Sequence, residues 1–205
     1  QTFEDAAAAA GGAAAGAQDP PPQSNRSAWD RSSAATAAAT TTAAAAAATS
    51  PHLTHVDAAG DYNMVDVSAK GDTHRVAKAS ATVRLEKHAY DLVAADKVKK
   101  GNVLSVAQIA GIQAAKKTSD LIPLCHPLFL SQVSVNLRLD AATTSVHITA
   151  TAKTTGKTGV EMEALTACSV AALTVYDMCK AASQKTLISD VKLLSKSKSS
   201  PAPTT

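Results

Sequence analysis

Gln132-Val-Ser-Val-Asn-Leu-Arg-Leu139 and, after a turn through residues 140–144, Val146-His-Ile-Thr-Ala-Thr-Ala-Lys153 are the stretches whose reading decides the fold. In the first, Val133, Val135, Leu137 and Leu139 alternate with Gln132, Ser134, Asn136 and Arg138. In the second, Val146, Ile148, Ala150 and Ala152 alternate with His147, Thr149, Thr151 and Lys153. Side chains of a strand point to opposite faces in turn, so this period of two describes a hairpin with one buried face. Upstream, Ala77, Ala79, Ala81, Val83 and Leu85 alternate with Lys78, Ser80, Thr82 and Arg84, which gives a third strand over residues 76–85. Residues 187–194 form a fourth, with weaker alternation. Helices fill the intervals at 88–98, 103–117 and 160–182. The second opens on Asn102 as N-cap, with Val106, Ile109, Ala110 and Gln113 at helical spacing. The order β-α-α-β-β-α-β defines an α+β fold: a ferredoxin-like split βαβ with an extra helix, its antiparallel four-stranded sheet carrying the helices on one face. The other face, set with Thr, Ser, Lys and Arg, meets solvent or a partner.

Composition divides the 205 residues. Residues 1–50 hold 21 Ala, with Ser, Thr, Gly and Pro between the Ala blocks and no apolar stripe that could dock on a core. They read as a disordered linker or a targeting remnant, although Glu4, Asp5, Asp19 and Asp30 suit an organelle-targeting segment poorly. Residues 51–197 are the folded domain and 198–205 a disordered tail. After residue 50 there are 18 basic and 13 acidic side chains, a modest excess suited to an anionic small molecule rather than to a long polyanion. Six aromatics leave few stacking platforms for single-stranded nucleic acid. No apolar run reaches the roughly 18 residues of a membrane span. Three cysteines, Cys125, Cys168 and Cys179, make no disulfide framework and fit a soluble protein of a reducing compartment.

Three clusters could carry chemistry. The first is Lys99-Lys100-Gly101-Asn102, followed after the second helix by Asp120-Leu-Ile-Pro-Leu-Cys-His-Pro127. Pro123 and Pro127 bracket a stiff loop that holds the Cys125 thiol and the His126 imidazole, a side chain whose ordinary titration falls near neutrality. A structural turn explains the loop equally well. A metal site would need further ligands, with Cys179 the only obvious candidate, so no metal is expected. The second cluster is Thr154-Thr-Gly-Lys-Thr-Gly-Val-Glu-Met-Glu163. It fails the Walker pattern, because Thr151 stands where the first glycine belongs. Glycine-flanked N–H groups beside a lysine at a helix start still favour an anion. Glu161 and Glu163 point roughly 200° apart on a helix and cannot make a close carboxylate dyad. The third is Tyr176-Asp-Met-Cys-Lys180. Asp177 and Lys180 make an i,i+3 surface pair, and Glu163, fourteen residues before Asp177 on nearly the same face, would extend the stripe into an acid–base wall.

At these residues the chain resembles the MoaC-type cyclic pyranopterin monophosphate synthase family of molybdenum cofactor biosynthesis. The resemblance covers residues 53–196 and rests on Met64-Val-Asp-Val-Ser-Ala-Lys70, Ala110-Gly-Ile-Gln-Ala-Ala-Lys116, Asp120-Leu-Ile-Pro-Leu-Cys-His-Pro127, Thr155-Gly-Lys-Thr-Gly-Val-Glu-Met-Glu-Ala-Leu-Thr166 and Tyr176-Asp-Met-Cys-Lys180. It implies a lyase that converts 3′,8-cyclo-7,8-dihydro-GTP to cyclic pyranopterin monophosphate and diphosphate. It also implies a homo-oligomer, a hexamer built of dimers, with the active site at the dimer interface. Carried onto this sequence, Asp177 is the principal catalytic acid/base, Lys100 and Lys180 transfer protons, and His126 acts in the same catalytic set. Leu124, Cys125 and His126 form one substrate-binding segment and Met162 with Glu163 another, Glu161 lying beside them. Arg75, Lys116, Lys157 and Lys196 are the candidates for the triphosphate. No cofactor is implied beyond a Mg²⁺ accompanying the triphosphate. An upstream radical-SAM domain, joined through residues 1–50 as in fused eukaryotic versions, is a further implied partner. The compartment would be the mitochondrial matrix in a eukaryote and the cytoplasm otherwise. The family tail is often Gly-rich after its lysine, whereas here Lys196-Ser-Lys-Ser-Ser-Pro201 follows.

Two rivals remain from other classes. A ferredoxin-like RNA-binding module needs exposed aromatics on its central strands. A catalytically inactive structural member of the same family needs loss of the titratable set.

Overall fold

A computed structural model of the chain describes His55, Val56 and residues 59–200. The linker read at 1–50 and the last residues of the tail lie outside the described residues. The elements run β1 (Thr73–Arg84), α1 (Lys87–Ala94), α2 (Val103–Ala115), α3 (Thr118–Leu121), β2 (Leu130–Asp140), β3 (Ser145–Gly156), α4 (Glu161–Cys179) and β4 (Leu187–Ser199). All strand pairs are antiparallel in the order β2-β3-β1-β4, the split-βαβ arrangement expected from the alternation.

Core-facing positions on the two central strands are small and sealed. Ala77, Ala79, Ala81 and Val83 of β1 and Val146, Ile148, Ala150 and Ala152 of β3 are all buried. Above them α4 presents Ala164, Ala167, Cys168, Ala171, Ala172 and Val175. Small residues on both surfaces bring the helix close to the sheet, and the dense packing replaces the bulk that aromatics supply elsewhere. α2 approaches α4 closely at Gly111. A Cβ added at Gly111 would stand 2.8 Å from the Ala167 carbonyl oxygen and 3.2 Å from both Ala171 Cβ and Val135 Cγ2.

Helix ends differ from the periodicity for local reasons. α2 starts where expected, with Asn102 Oδ1 accepting the Ser105 N–H at 2.8 Å. It stops at Ala115 rather than at residue 117, and the one-turn α3 follows. The buried Thr118 hydroxyl donates to the Ala115 carbonyl at 3.0 Å and so satisfies an end group that a continuing helix would have used. α1 ends at Ala94, ahead of Asp96 with φ 53°, and α4 ends at Cys179. The hairpin turn is held by Asp140, whose Oδ1 accepts the Ala142 N–H at 2.9 Å and whose Oδ2 accepts the Thr143 hydroxyl at 2.7 Å. The largest departure is β4. Periodicity faded after Leu194, yet the strand pairs with β1 to Ser199, so Lys198 and Ser199 belong to the sheet rather than to a tail. Two register shifts along that pair scramble the in–out alternation that a sequence reading depends on.

Candidate active site

The loop between α3 and β2 carries Leu124, Cys125 and His126 against the start of α4. Segment 64–70, which turns at residues 68–70, lines one cleft with this loop. Asp66 Oδ1 accepts the Ser68 N–H at 2.8 Å, and the Lys70 N–H reaches the Val67 carbonyl at 3.0 Å. Two side chains fasten this segment down. His126 Nε2 lies 2.8 Å from the Val65 carbonyl, and Lys157 Nζ donates to the Ser68 carbonyl at 2.7 Å. A carbonyl only accepts, so Nε2 carries the hydrogen at that contact. These walls enclose a cleft of about 400 Å³ containing Leu124, Cys125, His126, Glu161, Met162 and Glu163. Six of the residues expected to bind substrate therefore meet in one place. Segment 64–70 and its Lys70, together with Thr158, also line the cleft and were missed as site residues. The segment stood out in the sequence only as a matched stretch.

The two glutamates line the same cleft but differ in state. Glu163 is 3 % exposed, and burial raises its carboxyl above the ordinary value, with the nearby Glu161 charge adding to the effect. Burial pushes Glu161 upward too. Its bonds to the Lys196 ammonium and to its own backbone N–H outweigh that, and its pKa is lowered overall. Lys196 Nζ sits 3.0 Å from Glu161 Oε1. Burial, then the Glu163 charge, raise the Cys125 thiol, so it stays protonated at neutral pH.

A second pocket of about 300 Å³ adjoins the first through Gly159 and Glu161, and it collects Arg75, Lys196 and Lys198. Arg75 donates from Nε to the Gly156 carbonyl at 3.2 Å and from Nη2 to the Lys157 carbonyl at 2.9 Å, which fixes the turn ahead of α4. Two other triphosphate candidates fall elsewhere. Lys157 is occupied with Ser68 and lines neither pocket. Lys116 caps α2 in a separate depression beside Ile112 and Phe129.

Asp177, Lys100 and Lys180 form a third group. Lys100 Nζ donates to Asp177 Oδ2 at 2.8 Å and to its carbonyl at 2.9 Å, while Lys180 Nζ lies 2.7 Å from Oδ1. Hydrogen bonds from Lys100 and then Lys180 hold the Asp177 carboxyl down to about 2, and the bond to Asp177 raises Lys180. The expected acid–base wall running from Glu163 to Asp177 does not exist within one chain. Fourteen residues of helix separate the two by roughly 21 Å, one buried at the start of α4 and the other 56 % exposed near its end. Cys179 is likewise buried at that far end, remote from Cys125. Among the described residues no three His, Cys, Asp or Glu side chains are grouped to hold a metal. No Phe, Tyr or Trp stands on β1 or β3, which leaves an RNA-reading sheet without its large stacking platforms.

A split-βαβ sheet with a thiol–imidazole–carboxyl cleft joined to a cation pocket describes a small-molecule enzyme. A family model described as the MoaC family matches residues 64–199. The cyclic pyranopterin monophosphate synthase of Roseiflexus sp. is 57% identical over 145 residues, which cover 71% of this chain and 92% of that protein. That of Heliobacterium modesticaldum is 55% identical over 144 residues, 70% of this chain and 91% of the other. Molybdenum cofactor biosynthesis protein 1 of Mus musculus is 57% identical over 148 residues, 72% of this chain but 23% of that longer protein. The chain belongs to the MoaC family.

Proposed function

We propose that this chain is a cyclic pyranopterin monophosphate synthase, a lyase that takes 3′,8-cyclo-7,8-dihydro-GTP to cyclic pyranopterin monophosphate and diphosphate. The observation that carries this is the continuity, at Gly159 and Glu161, between a cleft of proton-carrying groups and a pocket of cations. Rearranging a purine-derived ring into a pterin moves protons at several atoms, which calls for several titratable groups rather than one nucleophile. Making a cyclic monophosphate from a triphosphate means that a hydroxyl of the substrate attacks the α-phosphorus and displaces diphosphate. Cations placed where that charge collects stabilise the departure.

Roles follow from the states of the groups. Glu163, buried in the cleft with its pKa raised, is the carboxyl best suited to hold and return a proton. His126, fastened through Nε2, and Cys125, a neutral thiol, bound the cleft. Asp177, expected as principal acid/base, is an anion throughout the neutral range. Its role is to aim the Lys100 and Lys180 ammoniums, which deliver protons to strongly basic atoms as they develop. A Mg²⁺ would arrive on the substrate's phosphates. Glu161 is the single carboxylate of the cation pocket and makes no cage for the ion, so the mechanism gives it no step.

The separation along α4 supports a site shared between two copies, the cleft of one meeting the Lys100–Asp177–Lys180 group of the other. Exposed Val106, Ile109, Leu173 and Tyr176 on the helix layer, and Leu187, Val191 and Leu194 on the free edge strand, supply apolar surface for such association. The test is turnover of the cyclised nucleotide by the full chain, following diphosphate and pterin together. Equal release of both is the expected result. Binding without diphosphate release would favour the inactive structural member, and no binding would remove the substrate assignment.

A further inference from the structure

In the β1–β4 ladder Ala77 stands opposite Lys196, and Arg75 opposite Lys198. Ala77 faces the core, so Arg75, Lys196 and Lys198 all project to the helix side of the sheet, at its corner beside the start of α4. They line one pocket with a single carboxylate, Glu161. Lys196 is taken up by Glu161, and Arg75 by two backbone carbonyls. Among the described residues Lys198 pairs with no carboxylate. The pocket therefore carries three cations against one anion, and its least committed cation is a residue that the sequence reading placed in a disordered tail.

We propose that Lys198 is a polyphosphate-binding residue that determines affinity for the substrate's terminal phosphates and for the departing diphosphate, and that Glu161 is the displaceable counter-ion that hands Lys196 to the same anion. This rests on the proposed function for its substrate, although the anion site can be tested without turnover. The Glu161–Lys196 pair is open to water, and exposed pairs of this kind are weak. A polyanion bearing three or more charges outcompetes one carboxylate for Lys196 and gains Lys198 as well. Because Glu161 belongs to both pockets, filling the cation pocket frees its carboxylate on the wall of the reaction cleft.

Calorimetric titration of the full chain with inorganic pyrophosphate tests this. Lys198→Ala is expected to weaken binding about tenfold, the size of one lost charge-assisted contact. Lys198→Arg is expected to retain it, and Glu161→Gln to tighten it by releasing Lys196. With the cyclised nucleotide, Lys198→Ala is expected to raise KM far more than it lowers kcat. Unchanged pyrophosphate affinity in Lys198→Ala, or equal losses in the Ala and Arg variants, would overturn the assignment of Lys198. Weaker binding in Glu161→Gln would overturn the counter-ion role. Lys198-dependent pyrophosphate binding in a chain that does not turn over the nucleotide would sink the functional reading and leave this one standing.

Discussion

Glu163 and Asp177 are both acidic residues on one helix, and their surroundings drive them in opposite directions. Burial raises Glu163, so its contribution to stability is complete below its ordinary value of 4.5 and is lost as pH rises through the higher folded value. Glu163→Gln is therefore predicted to raise the melting temperature relative to the parent at pH 8 and to change it little at pH 4. Equal shifts at the two pH values would contradict the buried, raised carboxyl. Asp177 behaves in the opposite sense. Its lowered pKa adds stability above about 3.8 that is lost as pH falls towards about 2. Asp177→Asn is predicted to cut turnover at least about 100-fold, the scale of a lost proton-transfer arrangement, with the size of the assembly unchanged on gel filtration. A residual rate near the parent's would remove the lysine-aiming role. Residue identities in this site were legible as short motifs, but their protonation states were not. Those depend on burial and on Lys100, 77 residues away in sequence from Asp177, which no local spacing reveals.

Among the elements, β1 and the hairpin could be read because their alternation is unbroken where one face is buried, and α4 because it is rich in the helix formers Ala, Leu, Met and Glu. Legibility failed at β4, an edge strand with two register shifts, and at the end of α2, where the Thr118 hydroxyl replaces a helical bond. Gly111 shows what periodicity cannot convey: it is the one position on α2 where the Ala167 carbonyl leaves no room for a methyl group. Gly111→Ala is predicted to destabilise the fold by about 1–3 kcal/mol, the usual cost of overpacking, as read by chemical denaturation. A stability equal to the parent's would mean that α2 and α4 separate freely. Asn102→Ala should cost about 1 kcal/mol through loss of the cap to Ser105, and a change below about 0.3 kcal/mol would show the cap to be idle.

For the whole molecule, Glu163 and the Lys100–Asp177–Lys180 group sit at opposite ends of α4, and the proposed site shared between copies would join them. Spacing along the sequence suggested one continuous wall because a helix returns to the same face every few residues. Direction around a helix is legible in sequence, but distance along it must be counted as well. The most direct test is complementation between Glu163→Gln and Asp177→Asn, each inactive alone, after co-refolding in equal amounts. In a mixed pair one site would combine both damaged halves and the other both intact halves, so about a quarter of the parent's turnover should return in a two-fold assembly. Turnover no higher than that of the separate variants would contradict the shared site, and with it the mechanism built on the cleft and the Lys100–Asp177–Lys180 group acting together.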